Sequence, residues 1–345
     1  MEKLNLDIGK FNSGSINDIS FTSVRTGIRS LDRCLSGGLR SGLTVLGALP
    51  GTGKSTLAFQ IARNVSSAGT PVIIYSLEMP RNQILAKMIS RQTYLISPEA
   101  AVSVTDMLNT GMNRDITDRQ WEVIRQATGI IRAETENIYI TESTDAGISA
   151  SYISEEVSEF IRSHPGTPPL VIVDYLQCLA PDPDSRRSKT DKQAVDDSIR
   201  TLVALASEHR VCILLISSIN RSSYVAHLSM SSFKETGTIE YSADTLIGME
   251  TNDLRKCGDP SAHYVTLSFL KQRYGRAGIS VDLKYDPRFD NFSDDGECAS
   301  AGPGTESSGT DGAPVEPVVK PPASARPEPQ ADNKKDLFLS LTEEY

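Results

Sequence analysis

The sequence predicts an α/β fold, a mainly parallel central sheet covered by helices on both faces. Two observations carry this. Apolar runs of strand length alternate with longer helix-compatible stretches, the pattern of βαβ units whose strands are buried on both sides. In addition, the segment TVLGALPGTGKSTLAFQIA runs from an apolar strand through a Gly-rich turn into a helix.

The runs at Leu43–Leu46, Val72–Ser76, Ile138–Thr141, Leu170–Asp174, Val211–Ser217 and Tyr264–Leu270 read as strands. The stretches Ser55–Ser67, Arg81–Thr93, Thr117–Ile131, Ile148–Ser163 and Lys192–His209 carry helical periodicity. No internal repeat is visible. Residues 1–25 are polar and weakly patterned, an arm in front of an ordered domain at 26–292. From 293 the composition turns to Gly, Pro, Ser, Ala and Asp, which cannot bury enough apolar surface to order itself, so 293–335 reads as a disordered linker. The last ten residues, DLFLSLTEEY, place Leu337, Phe338, Leu341 and Tyr345 on one face of a short helix. They read either as a docking peptide for a protein partner or as a frayed terminus.

With 345 residues and 39% apolar composition, the chain can bury a full core without disulfides or structural metal. Its five cysteines show no CxxC spacing, and two of them lie in apolar runs that read as buried strands. A reducing cytoplasm is therefore the expected compartment. The opening MEKLNLDIGKFNSGS has no apolar signal core, and no run approaches the roughly 20 apolar residues needed to cross a bilayer. The formal charge of −9 is unevenly spread. Eleven acidic residues against four basic ones put the segment from Ser293 onward at −7, leaving Met1–Phe292 at only −2. Any contact with nucleic acid must then come from local basic loops rather than from a general positive field.

The Gly-rich turn carries the clearest chemistry. The run Ala48, Leu49, Pro50, Gly51, Thr52, Gly53, Lys54, Ser55, Thr56 is a P-loop in which Ala48 stands at the first glycine position and Gly47 lies one residue earlier. Such a loop wraps backbone N–H groups around the phosphates of ATP, while Lys54 reaches the β and γ phosphates and the Ser55 hydroxyl ligates Mg²⁺. A magnesium shell needs a carboxylate at a nearby strand end, and PLVIVDYLQ supplies Asp174 as the Walker B residue. Hydrolysis needs a group that orients or deprotonates water. Glu78, after the strand in PVIIYSLEMP, is the candidate. Taken singly, a strand-end Asp or a surface Glu is common; beside a P-loop, both acquire a role.

The segments TGIRSLDRCLSGGLRSGLTVLGALPGTGKSTLA, SLEM, VIVDYLQ, ISSINR, FKETGTIEYSADTLIGM and KQRYGRAG occur in an order and spacing that resemble the RecA-like motor domain of DnaB-type replicative helicases. The similarity runs from about Thr26 to Phe292. It implies a RecA-like P-loop NTPase and an ATP-dependent translocase on single-stranded DNA, working in replication as a homo-oligomer, a hexameric ring. It also implies Lys54 and Ser55 for phosphate and metal, Glu78 as catalytic base, Asp174 as metal carboxylate and Gln177 as a coupling residue. Lys271 and Arg273 look like the pair that enters the neighbouring subunit's ATP site, with Arg273 as arginine finger. Lys234, Glu235 and Gly237 match the loop that grips the DNA backbone. Lys234 stands where the family usually has Arg, keeping the charge but losing the planar fork. A second basic stretch, Arg186, Arg187, Lys189 and Lys192, is either a further strand contact or a solvated loop.

Two departures bear on coupling. Ser218 in ISSINR stands where the family usually carries a Gln that senses the γ phosphate, and it is too short to do this the same way. Only about 25 polar residues precede the motor, where relatives carry an N-terminal helical collar and linker helix. These departures keep a second reading open, a RecA-fold regulatory or recombination-type ATPase that does not unwind DNA. A third reading is an adaptor that binds ATP structurally and acts through its tail.

Overall fold

The computed structural model describes residues 23–108, 116–143, 147–182, 190–219, 228–233, 237–252, 254–255 and 261–294. A short antiparallel ribbon, β1 (Ser23–Val24) with β2 (Leu39–Arg40), brackets helix α1 (Arg29–Cys34). Then follow β3 (Gly42–Ala48), α2 (Lys54–Ser67), β4 (Val72–Ser76), α3 (Arg81–Ile96), α4 (Val104–Leu108), α5 (Asp118–Glu134) and β5 (Ile138–Glu142). The chain continues through α6 (Ala150–Ser163), β6 (Leu170–Asp174), α7 (Asp191–His209), β7 (Cys212–Ser218), α8 (Gly237–Ser242) and β8 (Thr245–Asn252). It closes with β9 (His263–Gln272), β10 (Ser280–Asp286) and β11 (Asn291–Ser293).

Nine strands form one sheet in the order β11-β10-β9-β8-β3-β7-β6-β4-β5. Pairing is parallel from β5 through β8 and antiparallel from β8 to β11. The parallel strands are continuous apolar runs because both of their faces are covered. Leu46, Ile74, Ile172 and Leu214 point to one layer, where Leu57 and Ile61 of α2 and Ile84 and Met88 of α3 meet them. Val45, Tyr75, Val173 and Leu215 point to the other, against Ile153 and Val157 of α6 and Ile199 and Leu202 of α7. Each such side chain removed from water contributes about 1.5–3 kcal/mol. Together these contacts fix which residue of every strand faces which helix.

Helix starts follow their caps. Thr117 and Thr190 open α5 and α7 through capping boxes with Gln120 and Gln193, and Ser149 caps α6 by accepting from the Tyr152 N–H. That cap moves the start of α6 from the expected Ile148 to Ala150. The six expected strands and five expected helices are all present, with ends displaced by a few residues. Strands β1, β2, β8, β10 and β11 and helices α1, α4 and α8 were not foreseen. The polar arm expected at 1–25 falls mostly outside the described residues, as do the linker and the terminal peptide.

Gly47, one residue before the end of β3, faces the ring of Phe233 so closely that a β-carbon there would overlap it. Phe233 is itself buried, at 2% exposure, so the ring has little room to move. Gly47→Ala is therefore expected to lower stability by about 1–3 kcal/mol, the usual cost of overpacking, as measured by denaturant unfolding. An unchanged midpoint would mean that Phe233 yields freely.

Candidate active site

The P-loop leaves β3 at Ala48 and enters α2 at Lys54. Gly51 and Gly53 adopt φ of 81° and 95°, a left-handed conformation that side chains disfavour, and this turns the chain tightly enough to aim its amides inward. Thr52 closes the turn by donating its hydroxyl to the Leu49 carbonyl at 2.8 Å. Gly53 caps α2 without a side-chain partner, and the first turn of the helix carries no acidic residue. The helix start thus keeps its uncompensated N–H groups and positive dipole end for an anion.

The loop is braced from behind. A β-carbon on Gly53 would stand 3.0 Å from both Tyr285 and Phe292, whose rings stack at 4.2 Å between centroids. Thr56 donates to the buried carboxylate of Asp290 at 3.0 Å, and Gln60 exchanges two hydrogen bonds with the Phe292 main chain. Lys87 of α3 pairs with the same Asp290 at 2.8 Å. Sequence reasoning missed this brace. Its one local trace is the alternation of Val281, Leu283 and Tyr285 in VDLKYD, which reads as a strand with one buried face.

Asp174 ends β6 and is 2% exposed. The Ser55 hydroxyl donates to its Oδ1 at 3.1 Å, so the P-loop hydroxyl meets the carboxylate at the end of β6. Burial pushes the Asp174 carboxyl up to about 6; the Ser55 hydrogen bond and the Lys54 charge oppose this, while Glu78 adds to it. Glu78 comes from the adjacent strand. Ser76 pairs with Asp174 in register, the Leu77 N–H donates to Asp174 O at 2.7 Å, and Glu78 follows, exposed to solvent.

This donor set fits a magnesium nucleotide rather than a self-contained metal centre. Among the described residues no group of three or more His, Cys, Asp or Glu side chains converges. One hydroxyl and one buried carboxylate beside a phosphate-binding turn are what Mg²⁺ requires when phosphate and water complete its shell.

Strand β7 lies between β3 and β6, and its end joins the two halves of the site. Ser218 pairs with Ala48 in register. Gln177 accepts the Ser218 N–H at 3.2 Å and donates to Ser218 O at 3.2 Å and to the Ser217 hydroxyl at 3.1 Å. The link to Ser218 thus runs through its main chain.

Lys271 and Arg273 lie elsewhere. Thr44 pairs with Thr245, which pairs with Gln272, so the end of β9 sits beside the start of β3. The P-loop begins at the other end of β3, about 15 Å away at the rise of a strand. Within one chain the structure does not bring this cation pair to the P-loop. Lys234, Glu235, Arg186, Arg187 and Lys189 lie outside the described residues; Gly237 opens α8, and Lys192 is exposed in the first turn of α7.

The raised carboxyl of Asp174 has a stability consequence. A folded-state value near 6 against an ordinary value of 3.8 means the folded protein binds this proton more tightly than the unfolded chain. The associated stability is fully present below pH 4 and is lost as pH rises through 6. Asp174→Asn, in protein free of metal, is expected to be more stable than the parent at pH 7 by up to roughly 3 kcal/mol, with that advantage shrinking toward pH 4. Thermal melts across this range check the slope, and parallel curves for the two proteins would refute it.

The family model for the DnaB-like helicase C-terminal domain matches residues 23–294. The replicative DNA helicase DnaB of Haemophilus influenzae is 29% identical over 281 residues, covering 80% of this chain and 56% of that protein. The DnaB of Geobacillus stearothermophilus is 29% identical over 280 residues, covering 80% of this chain and 57% of its own length. The chain thus spans little more than half the length of these relatives. Two solved structures align with a TM-score of 0.71 and 24% identity over 85% of this chain. One is an ATPase domain, 99% covered, and the other a DnaB-like replicative helicase described with its interactions with primase, 68% covered. They show that the fold is the RecA-like one expected. The chain belongs to the DnaB-like helicase C-terminal domain family.

Proposed function

We propose that this protein is an ATP-dependent motor on single-stranded DNA, a helicase of replication that hydrolyses Mg-ATP at subunit interfaces of a homohexameric ring in the cytoplasm. The observation that carries the reading is the division of one sheet. A P-loop, Ser55, Asp174 and Glu78 gather at one edge, while Lys271 and Arg273 stand at the other. A second copy of the chain can present Arg273 to a nucleotide bound at the first edge, adding to Lys54 a further cation of the kind phosphoryl transfer draws on. Among the described residues no helix is long and apolar enough to cross a membrane.

In this mechanism the P-loop amides and Lys54 hold the β and γ phosphates. Mg²⁺ bound by Ser55 and Asp174 would supply charge neutralisation on those oxygens. Glu78 orients a water molecule for in-line attack on the γ phosphorus and takes up its proton. The bond to the β–γ bridging oxygen breaks, giving ADP and inorganic phosphate. Arg273 of a neighbouring copy stabilises the charge that develops during transfer. Loss of the γ phosphate is passed from Asp174 through Gln177 to the end of β7. From there it reaches the segment that leads to the Lys234 loop and α8, where contacts to phosphate make binding independent of sequence.

A regulatory ATPase that does not unwind DNA is the second reading. Ser218 favours it, because a serine there offers the coupling path a main-chain contact in place of a long polar side chain. Strand opening on a forked duplex separates the two readings.

ATP turnover by purified protein is expected to rise strongly with single-stranded DNA. Lys54→Ala should abolish it, and Glu78→Gln should lower it by about 10²–10⁴-fold, the usual contribution of a positioned general base. Arg273→Ala subunits should poison wild-type rings on mixing. Turnover indifferent to DNA, with no poisoning, would leave the regulatory reading in its place.

A further inference from the structure

Arg273 does not project freely from its sheet edge. Its guanidinium donates to Asp244 Oδ1 at 2.7 Å, and its main-chain N–H donates to Asp244 O at 2.8 Å. Asp244 is anchored on the far side as well. Its Oδ2 accepts the Leu43 N–H at 2.9 Å, and its own N–H donates to Leu43 O at 2.9 Å. Gly42 beside it has φ of 127°, and a β-carbon there would overlap Asp244 Oδ2. The carboxylate therefore sits in a notch that a glycine leaves open.

The two partners differ in freedom. The Arg273 side chain is 51% exposed and that of Asp244 18%, so the guanidinium is the member able to leave. Lys271, two residues before it, donates to the carbonyls of Glu240 and Tyr241 at the end of α8. Burial and the neighbouring Arg273 charge press its proton affinity down. Two cations thus share this edge, and Asp244 is the carboxylate that pairs with Arg273 among the described residues.

We infer that Asp244 is a positioning residue that parks Arg273 on its own subunit, so that the guanidinium must exchange this carboxylate for the phosphate of a nucleotide in the neighbouring subunit. The inference rests on the proposed role of Arg273 in trans. Both anions offer a charge-assisted hydrogen bond, so they compete for one group. A parked finger reduces the apparent affinity of the neighbouring site by the fraction of time it is held. A half-exposed ion pair shifts such an equilibrium by no more than about five-fold. The effect is that of a tuned threshold rather than an on–off switch.

The test uses subunits whose own ATP site is silenced by Lys54→Ala, mixed with wild-type chains so that only wild-type sites turn over. Adding Asp244→Asn to the silenced subunit removes the charge and keeps an oxygen for the Leu43 N–H. It should lower the KM for ATP of the wild-type sites by about three-fold. Asp244→Ser, which also offers a neutral oxygen, makes the same comparison if the Asn chain does not fold. Asp244→Glu restores the charge and should return KM toward that of the silenced parent. A merely structural Asp244 would act through its own silenced P-loop and leave KM unmoved, and the longer Glu would fit the notch worse than Asn. An unchanged KM with the neutral variants, or a larger disturbance from Glu, overturns the inference. Arg273→Ala in the silenced background separates the two claims. If it has no effect on the wild-type sites, the trans role itself fails; if it poisons them while Asp244→Asn is silent, only the parking role falls.

Discussion

Strand direction organises this molecule, because in a parallel sheet every strand presents its carboxyl end at the same edge and each loop there can contribute to one site. Strands β3, β7, β6 and β4 lie side by side in parallel register, with Ala48 opposite Ser218 and Asp174 opposite Ser76. The placement of the P-loop, the Gln177 contact, the Asp174 carboxylate and the Glu78 turn is a consequence of that alignment. What holds the register is burial on both faces. Leu170, Val171, Ile172 and Val173 are each 0% exposed, and a slip of one residue would exchange the two layers they pack against.

The same sheet then reverses. From β8 to β9 the pairing becomes antiparallel, which carries the chain back past its own site and ends β9 beside the start of β3. A continued parallel arrangement would have brought the end of this strand to the nucleotide edge. The reversal instead leaves the P-loop and Asp174 at one edge of the sheet and Lys271 and Arg273 at the other. It also returns β10 and β11 beneath the P-loop, where the Tyr285 and Phe292 rings support Gly53.

Local features were legible in the sequence and distant ones were not. The Gly51 and Gly53 turn and the apolar run before Asp174 act within a few residues, so pattern reading finds them. Thr56 and Asp290 are 234 residues apart, and no spacing rule joins them. Strand β8 was hidden because Gly248 interrupts its apolar run and Glu250 and Asn252 end it in polar residues, while β11 is only three residues long. Arg273 was named through family resemblance, but its separation from the P-loop depends on the β8–β9 reversal, which only the fold displays. The carboxylate that holds it, Asp244, had no signal of its own beyond following the short helix α8.

Asp174 shows what the fold sacrifices for the site. An ionised carboxylate buried beside one hydroxyl donor is poorly compensated, and burial accordingly pushes its proton affinity up. A purely structural residue at the end of a buried strand would be apolar. The deficit is chemically specific, since Lys54 reduces it and the negative charge of Glu78 increases it. A divalent cation adjoining Ser55 would relieve both carboxylates, and phosphate alone would not, because it brings more negative charge to the same edge. On the proposed reading, burial and charge at this site favour metal and nucleotide together over nucleotide alone.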